Sequence, residues 1–155
     1  ANQVREDVGD TRYSGSEVMV RRLAEMGADV KIHDPYVEHW WELEAQESYP
    51  HPKYSLRRFF HRQEGLKQLR LVKDLAGALK GVDAVVLAVR HQQYLQLDPD
   101  EVFRNVGKPF ALVDCFCILT DPQIRRYLEL GCEVKGMGRG HIKRIKDSLG
   151  KPTRR

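Results

Sequence analysis

The feature that most constrains this chain is a near-continuous apolar run, "VDAVVLAV", at residues 82–89. A run this short, rich in valine and entered from Gly81, suits a strand buried on both faces. Strands of that kind belong to parallel sheets, and parallel neighbours must be joined by crossovers, usually helices. The flanking sequence supplies such helices in alternation.

Residues 14–26 carry Val18, Val20, Leu23, Ala24 and Met26 at helical spacing, with Arg21, Arg22 and Glu25 on the outer side. Ser14 and Glu17 fit a capping box, and Gly27 fits a C-terminal stop. "ADVKIHDP" at 28–35 reads as a strand ending in the turn signal Asp34-Pro35. "LAGALKG" at 75–81 reads as a short helix. "DPDEVFRNV" at 98–106 has an Asp98 cap and Pro99 in the first helical position. "PFALVDC" at 109–115 is a second buried strand, and "DPQIRRYLELG" at 121–131 repeats the Asp-Pro start and the glycine stop. "CEVKGMG" at 132–138 is the last strand, and "HIKRIKDSL" at 141–149 a terminal helix. With a first strand ending over Asn2–Arg5, the order predicts an α/β fold: an open parallel sheet with helices on both faces, three layers α/β/α, and right-handed crossovers. Residues 1–149 are expected to form one domain, with 150–155 as a flexible basic tail.

An insertion at 38–68 breaks the rhythm. It holds both tryptophans and many charges, with a helix expected over 55–63. Its aromatics are expected to pack back on the sheet edge; a lid or a subunit contact is the other reading of so long a loop.

Composition narrows the functional classes. At 155 residues and 41% hydrophobic content, the chain is sized for one domain with a real core. Three cysteines without regular spacing argue against a disulfide framework and for a reducing, cytoplasmic setting. No apolar run is long enough to span a bilayer, and the first residues do not read as a signal peptide, so no membrane partner is expected. The net charge of +4 is concentrated late. From Arg139 onward there are seven basic residues against one acid, Asp147. Without aromatic-basic interleaving, a zinc-finger pattern or a basic zipper, that excess reads as a solvated end, and no nucleic-acid partner is expected.

The stretch "DVGDTRYSGSE" at 7–17 carries more polar hardware than a βα connection needs. Ligands of open parallel sheets bind beyond the carboxyl ends of the strands, where this stretch falls. Gly9 is expected to make a tight turn with positive φ. The first turn of the following helix presents N–H groups and the positive end of its dipole, which favour an anion. Arg5 and Arg12 bracket the loop and offer forked donors to phosphate oxygens, while Ser14 and Ser16 add hydroxyls. Asp7 and Asp10 suit holding the arginines, the loop backbone or sugar hydroxyls. The same residues also suit a well-capped helix beside a solvated loop. Asp34 occupies the place where an acid accepts ribose hydroxyls in dinucleotide-binding units, but the first turn lacks the glycine fingerprint, and an Asx turn before Pro35 is the simpler account. Arg90 and His91 fall at the carboxyl end of the apolar run, as crevice-lining or loop residues. His33, Asp34, His39, His51 and His61 lack metal-ligand spacing, and no metal is expected.

Four segments, "VREDVGDTRYSGSE", "LAEMGADVKIHDPYV", "LKGVDAVVLAVRHQQYLQLD" and "KPFALVDC", resemble in order and spacing the C-terminal domain of the UDP-glucose/GDP-mannose dehydrogenase family. The resemblance covers nearly the whole chain, and "GDTR" with the following serine and "DPYV" are its most specific parts. It implies a Rossmann-like fold that grips the nucleotide diphosphate of a UDP-sugar or GDP-mannose. The family oxidises the sugar C6 hydroxyl to a carboxylate with two NAD per turn, through a cysteine-bound thiohemiacetal, in polysaccharide biosynthesis. By this resemblance Arg5 stands at a substrate-reaching lysine, Arg12 at the arginine of "D-x-R", Ser14 at the serine that follows, and Asp34-Pro35 at the family's "DP". Three positions depart from the pattern. Val4 stands where an aromatic is frequent, Gly15 where proline is common, and Phe116, in "DCFCIL", where the family often has an arginine at the nucleotide-sugar site.

The family's G-x-G-x-x-G has no match here. "GMGRG" at 136–140 fails the spacing because the next glycine would fall on His141. None of Cys115, Cys117 or Cys132 sits in the family's "GGxCxPxD", and each reads as a small buried hydrophobe at a strand terminus. The resemblance therefore implies that NAD and the catalytic residues belong to an N-terminal part outside this sequence. This chain alone is expected to hold no cofactor and no catalytic residue, and to partner the rest of its own polypeptide in a homo-oligomer. The alternative is a non-catalytic Rossmann-like module that mediates subunit assembly through the insertion and the basic tail.

Overall fold

Caps and glycines fix most of the element ends in the computed structural model, which describes residues 7, 9, 11, 14–40, 43, 69 and 71–149. The chain falls into two compact units, Ala1–Ala78 and Leu79–Arg155.

In the first unit, α1 spans Gly15–Glu25 between the Ser14 and Met26 caps, as its periodicity predicts. Gly27 follows at φ 88°, the left-handed conformation that glycine supplies cheaply after a helix. Two details differ from expectation. The Ser14 hydroxyl accepts from Ser16 N–H, but Glu17 does not complete a capping box. Glu17 is buried instead and accepts from Arg21 Nε at 2.8 Å, so Arg21 is inside the unit at 2% exposure. The i, i+4 spacing lets acid and base neutralise one another within a single helix face. That face displaces Val18 and Met26, which are exposed. Val20 meets Val37, Trp40 and Leu43 in the core of this unit, with Ile32 and Leu71 packed against it. Trp40 is buried in that core, and the insertion's other aromatics lie outside the described residues.

Among the described residues, the strand expected over 28–35 shows one parallel bridge, Ile32 with Leu71, carried by a 2.7 Å hydrogen bond from Val72 N–H to the Ile32 carbonyl. Asp34 and Pro35 then turn the chain. The expected first strand, most of the insertion and the basic tail lie outside the described residues. Helix α2, Leu75–Leu79, leads out of this unit.

The second unit has the regular sheet. Strands β1 (Ala84–Leu87), β2 (Ala111–Asp114) and β3 (Glu133–Gly136) are parallel and ordered β1-β2-β3. Ala84 pairs with Ala111, and Ala111 with Glu133. Between and after the strands run α3 (Gln92–Leu95), α4 (Pro99–Val106), α5 (Asp121–Glu129) and α6 (His141–Leu149). This is a Rossmann-like α/β arrangement. Asp98 caps α4 by accepting from Asp100 N–H, and Gly107 ends it at φ 83°. The cap of α5 is Thr120, one residue before the expected Asp121, in a full capping box with Gln123. The short α3 was not foreseen. Leu112, Ile124 and Tyr127 form the dry centre, with Phe110 edge-on to Tyr127 at 6.0 Å. β1 is less buried than its composition predicts. Ala84 is exposed and only Leu87 is fully covered, because among the described residues β1 pairs on one side only.

Candidate functional site

Ser14 sets the geometry of the candidate site. Its N–H donates to the Thr11 carbonyl, its carbonyl accepts from Glu17 N–H, and its hydroxyl oxygen accepts from Ser16 N–H at 3.2 Å. The first-turn amides of Ser16 and Glu17, expected to face outward for an anion, are thus engaged by Ser14. The Ser14 hydroxyl proton can still donate while the oxygen accepts, and the positive end of the dipole lies beside it. Arg5 and Arg12 lie outside the described residues. Ser14, Ser16 and Asp34 are described, each partly exposed.

Gly9 serves the loop differently from expectation. Its φ is not positive; the left-handed residue is Asp7, at φ 56°. A Cβ on Gly9 would overlap the Tyr36 carbonyl oxygen and lie 3.2 Å from its carbon. Gly9 is therefore required for a close approach of two backbones, the loop before α1 and the turn at 34–37. Asp34 holds that turn as the Asx reading predicts, with Oδ1 accepting from Tyr36 N–H at 2.8 Å and Val37 N–H at 3.1 Å. Lys73 Nζ closes it by donating to the Val37 carbonyl at 2.6 Å. Partial desolvation, and then a hydrogen bond to the Asp7 carboxylate, push the Tyr36 phenol above its ordinary pKa.

A second polar centre lies at the carboxyl end of β2. Asp114, fully buried, accepts from Phe116 and Ile118 N–H on Oδ1 and from Leu119 N–H on Oδ2. Arg139 Nη1 donates to Oδ2 at 3.0 Å and also to the Leu119 carbonyl. Arg139 Nη2 and His141 Nε2 both reach Asp121. Sequence reading counted Arg139 with the solvated basic end; its side chain is only 11% exposed. The hint was Asp114 itself, since a carboxylate closing an apolar strand needs buried partners.

The same arginine lies against the first glycine of the "GMGRG" turn. A Cβ on Gly136 would lie 2.9 Å from Arg139 Cδ and 3.1 Å from Ile142 Cδ1. The Arg139 side chain thus packs against the Gly136 backbone, while nothing lies within 4 Å of a Cβ placed on Gly138 or Gly140. Phe116, on the "DCFCIL" loop after β2, is 42% exposed. His91 is buried against Tyr94, while Arg90 is exposed. Cys132 is buried, as foreseen, but Cys115 is only partly so and Cys117 is exposed at φ 53°. No trio of metal-ligating side chains gathers among the described residues. No helix among them is long and apolar enough to cross a membrane.

Residues 3–121 match the sequence profile of the UDP-glucose/GDP-mannose dehydrogenase family, UDP binding domain. The fold is similar to that of NDP-N-acetyl-D-galactosaminuronic acid dehydrogenase from Methanosarcina mazei Go1, with a TM-score of 0.66 and 21% identity. That likeness covers 89% of this chain and 23% of the other, so the chain spans about a quarter of its neighbour's length. No curated protein sequence matches.

Proposed function

The chain belongs to the UDP-glucose/GDP-mannose dehydrogenase family, and on that premise we propose that it is the substrate-nucleotide-binding part of an NAD-dependent nucleotide-sugar 6-dehydrogenase. The observation that carries the reading is the family match running through the "GDTR" loop, the start of α1 and the Asp34 turn. Arg5 and Arg12 grip the diphosphate with forked, charge-assisted hydrogen bonds. The Ser14 hydroxyl donates to a phosphoryl oxygen, Ser16 lines the same turn, and the α1 dipole favours the added charge. Asp34 holds the neighbouring turn and, by the likeness of Asp34-Pro35 to the family's "DP", is assigned to the nucleotide-sugar side of the site.

On this reading NAD and the oxidation chemistry belong to another part of the enzyme, and this chain contributes position. Binding energy gathered at the phosphates fixes the distant sugar carbon for reaction elsewhere. Subunit association in the whole enzyme belongs to the same proposal.

Calorimetric titration with UDP, UDP-sugars and GDP-mannose tests it. At least one should bind, and Arg12→Ala should weaken it about tenfold or more, roughly 1.4 kcal/mol. Absence of binding by all of them overturns the reading.

A further inference from the structure

Resting on the reading that the start of α1 holds a nucleoside diphosphate, we propose that the buried pair Glu17–Arg21 sets the affinity of that site for phosphoryl groups. Arg21 neutralises Glu17 and so leaves the positive end of α1 open to an anion.

Glu17 is out of place on an anion-binding helix. It is the acid of the first turn, three residues after the Ser14 cap. An acid there takes the positive end of the dipole for itself and repels a second anion. The backbone keeps it beside the cap, because its N–H donates to the Ser14 carbonyl at 3.1 Å. Its carboxylate, however, accepts from Arg21 Nε at 2.8 Å, one turn further along the helix. Both side chains are sealed from water, Arg21 at 2% exposure and Glu17 at 3%.

Burial gives the pair its reach. Water and salt screen a buried charge far less than an exposed one, so each member acts on an anion at the helix start. The other pair on α1 supplies the contrast. Arg22 donates to Glu25 at 2.6 Å, but the Arg22 side chain is 64% exposed. With both pairs closed, the acids and bases of α1 match one another along the helix, and the dipole is left for the ligand. The two members of the buried pair therefore act on a phosphoryl group with opposite signs, which packing alone does not produce.

Calorimetric titration of the full chain with UDP, a UDP-sugar and GDP-mannose, all of which carry the diphosphate, reads those signs. Glu17→Gln keeps the side chain's shape and an oxygen for Arg21 but removes the negative charge. It should lower the Kd of each ligand that wild type binds about three- to tenfold, the order expected of one poorly screened charge. Arg21→Met should raise it by a similar factor. The Glu17→Gln and Arg21→Met double variant carries neither charge and should return to within about twofold of wild type. Arg22→Met takes the same charge from the exposed face of the same helix and should change Kd less than about twofold. Uridine, which has no phosphate, should gain nothing in Glu17→Gln. Both single variants should melt lower than wild type, since each leaves a buried partner unmatched, so the sign of the affinity change decides and not the stability. Either single variant decides if the other does not fold. A folded Glu17→Gln with Kd unchanged or raised, or a folded Arg21→Met with Kd unchanged or lowered, overturns this proposal alone. A wild-type chain that binds none of the three ligands overturns it together with the reading it rests on.

Discussion

Asp34 and Asp114 both stand where the chain leaves an extended segment for a loop, and they are built to different ends. Asp34 holds two N–H groups of a four-residue turn through Oδ1 and remains partly exposed. Asp114 uses both oxygens, holds three N–H groups and Arg139, and is fully buried. The second arrangement spends its hydrogen-bonding capacity on its own chain and seals the "DCFCIL" loop. The first leaves its loop at the surface, beside Gly9 and the start of α1. Polar residues at a strand end do not make a site by themselves; what separates these two is how deeply the chain buries them.

That contrast breaks first at Asp114. Asp114→Ala leaves two buried N–H groups and one part-buried N–H group without their acceptor and removes one of the partners of the Arg139 guanidinium, and should cost about 3–5 kcal/mol in denaturant unfolding. Asp34→Ala loses two partly exposed hydrogen bonds and should cost about 1 kcal/mol, while weakening UDP binding through the slackened turn. If the two variants destabilise equally, the distinction between a sealed loop and an open one is wrong. The smallest effect sharpens the description of the sealed loop. Burial raises the Cys132 thiol and, helped by the Asp114 charge, the Cys115 thiol above the usual range. Iodoacetamide at neutral pH should therefore mark exposed Cys117 first, with Cys115 and Cys132 slower, as read by mass spectrometry of the intact and digested chain.

The second unit was largely legible because its signals are local. Asp98, Pro99 and Gly107 bound α4 within a few residues of one another, and a strand such as "ALVD" declares itself by composition. Arg139 was not legible, because its partner Asp114 lies 25 residues away and nothing beside Arg139 announces a buried bond. Arg21 looked like a surface residue for a related reason. Charge pattern alone does not say which side of a helix is covered, although its i, i+4 spacing from Glu17 was the available hint. At the candidate site, the Ser14 cap and the Asp34 turn were readable from residue type. The reason for Gly9 was not, since it depends on Tyr36, 27 positions on, and belongs to packing rather than to backbone conformation.

The central claim is that phosphoryl groups are held where the loop meets the start of α1. Amide resonances of the full chain, followed by two-dimensional nitrogen–proton NMR during a UDP titration, test it directly. The account predicts that the largest shifts fall on Gly9, Thr11, Ser14, Gly15 and Ser16, and that uridine without phosphates leaves them in place. Shifts gathered elsewhere in the chain, or equal shifts with uridine alone, would contradict it.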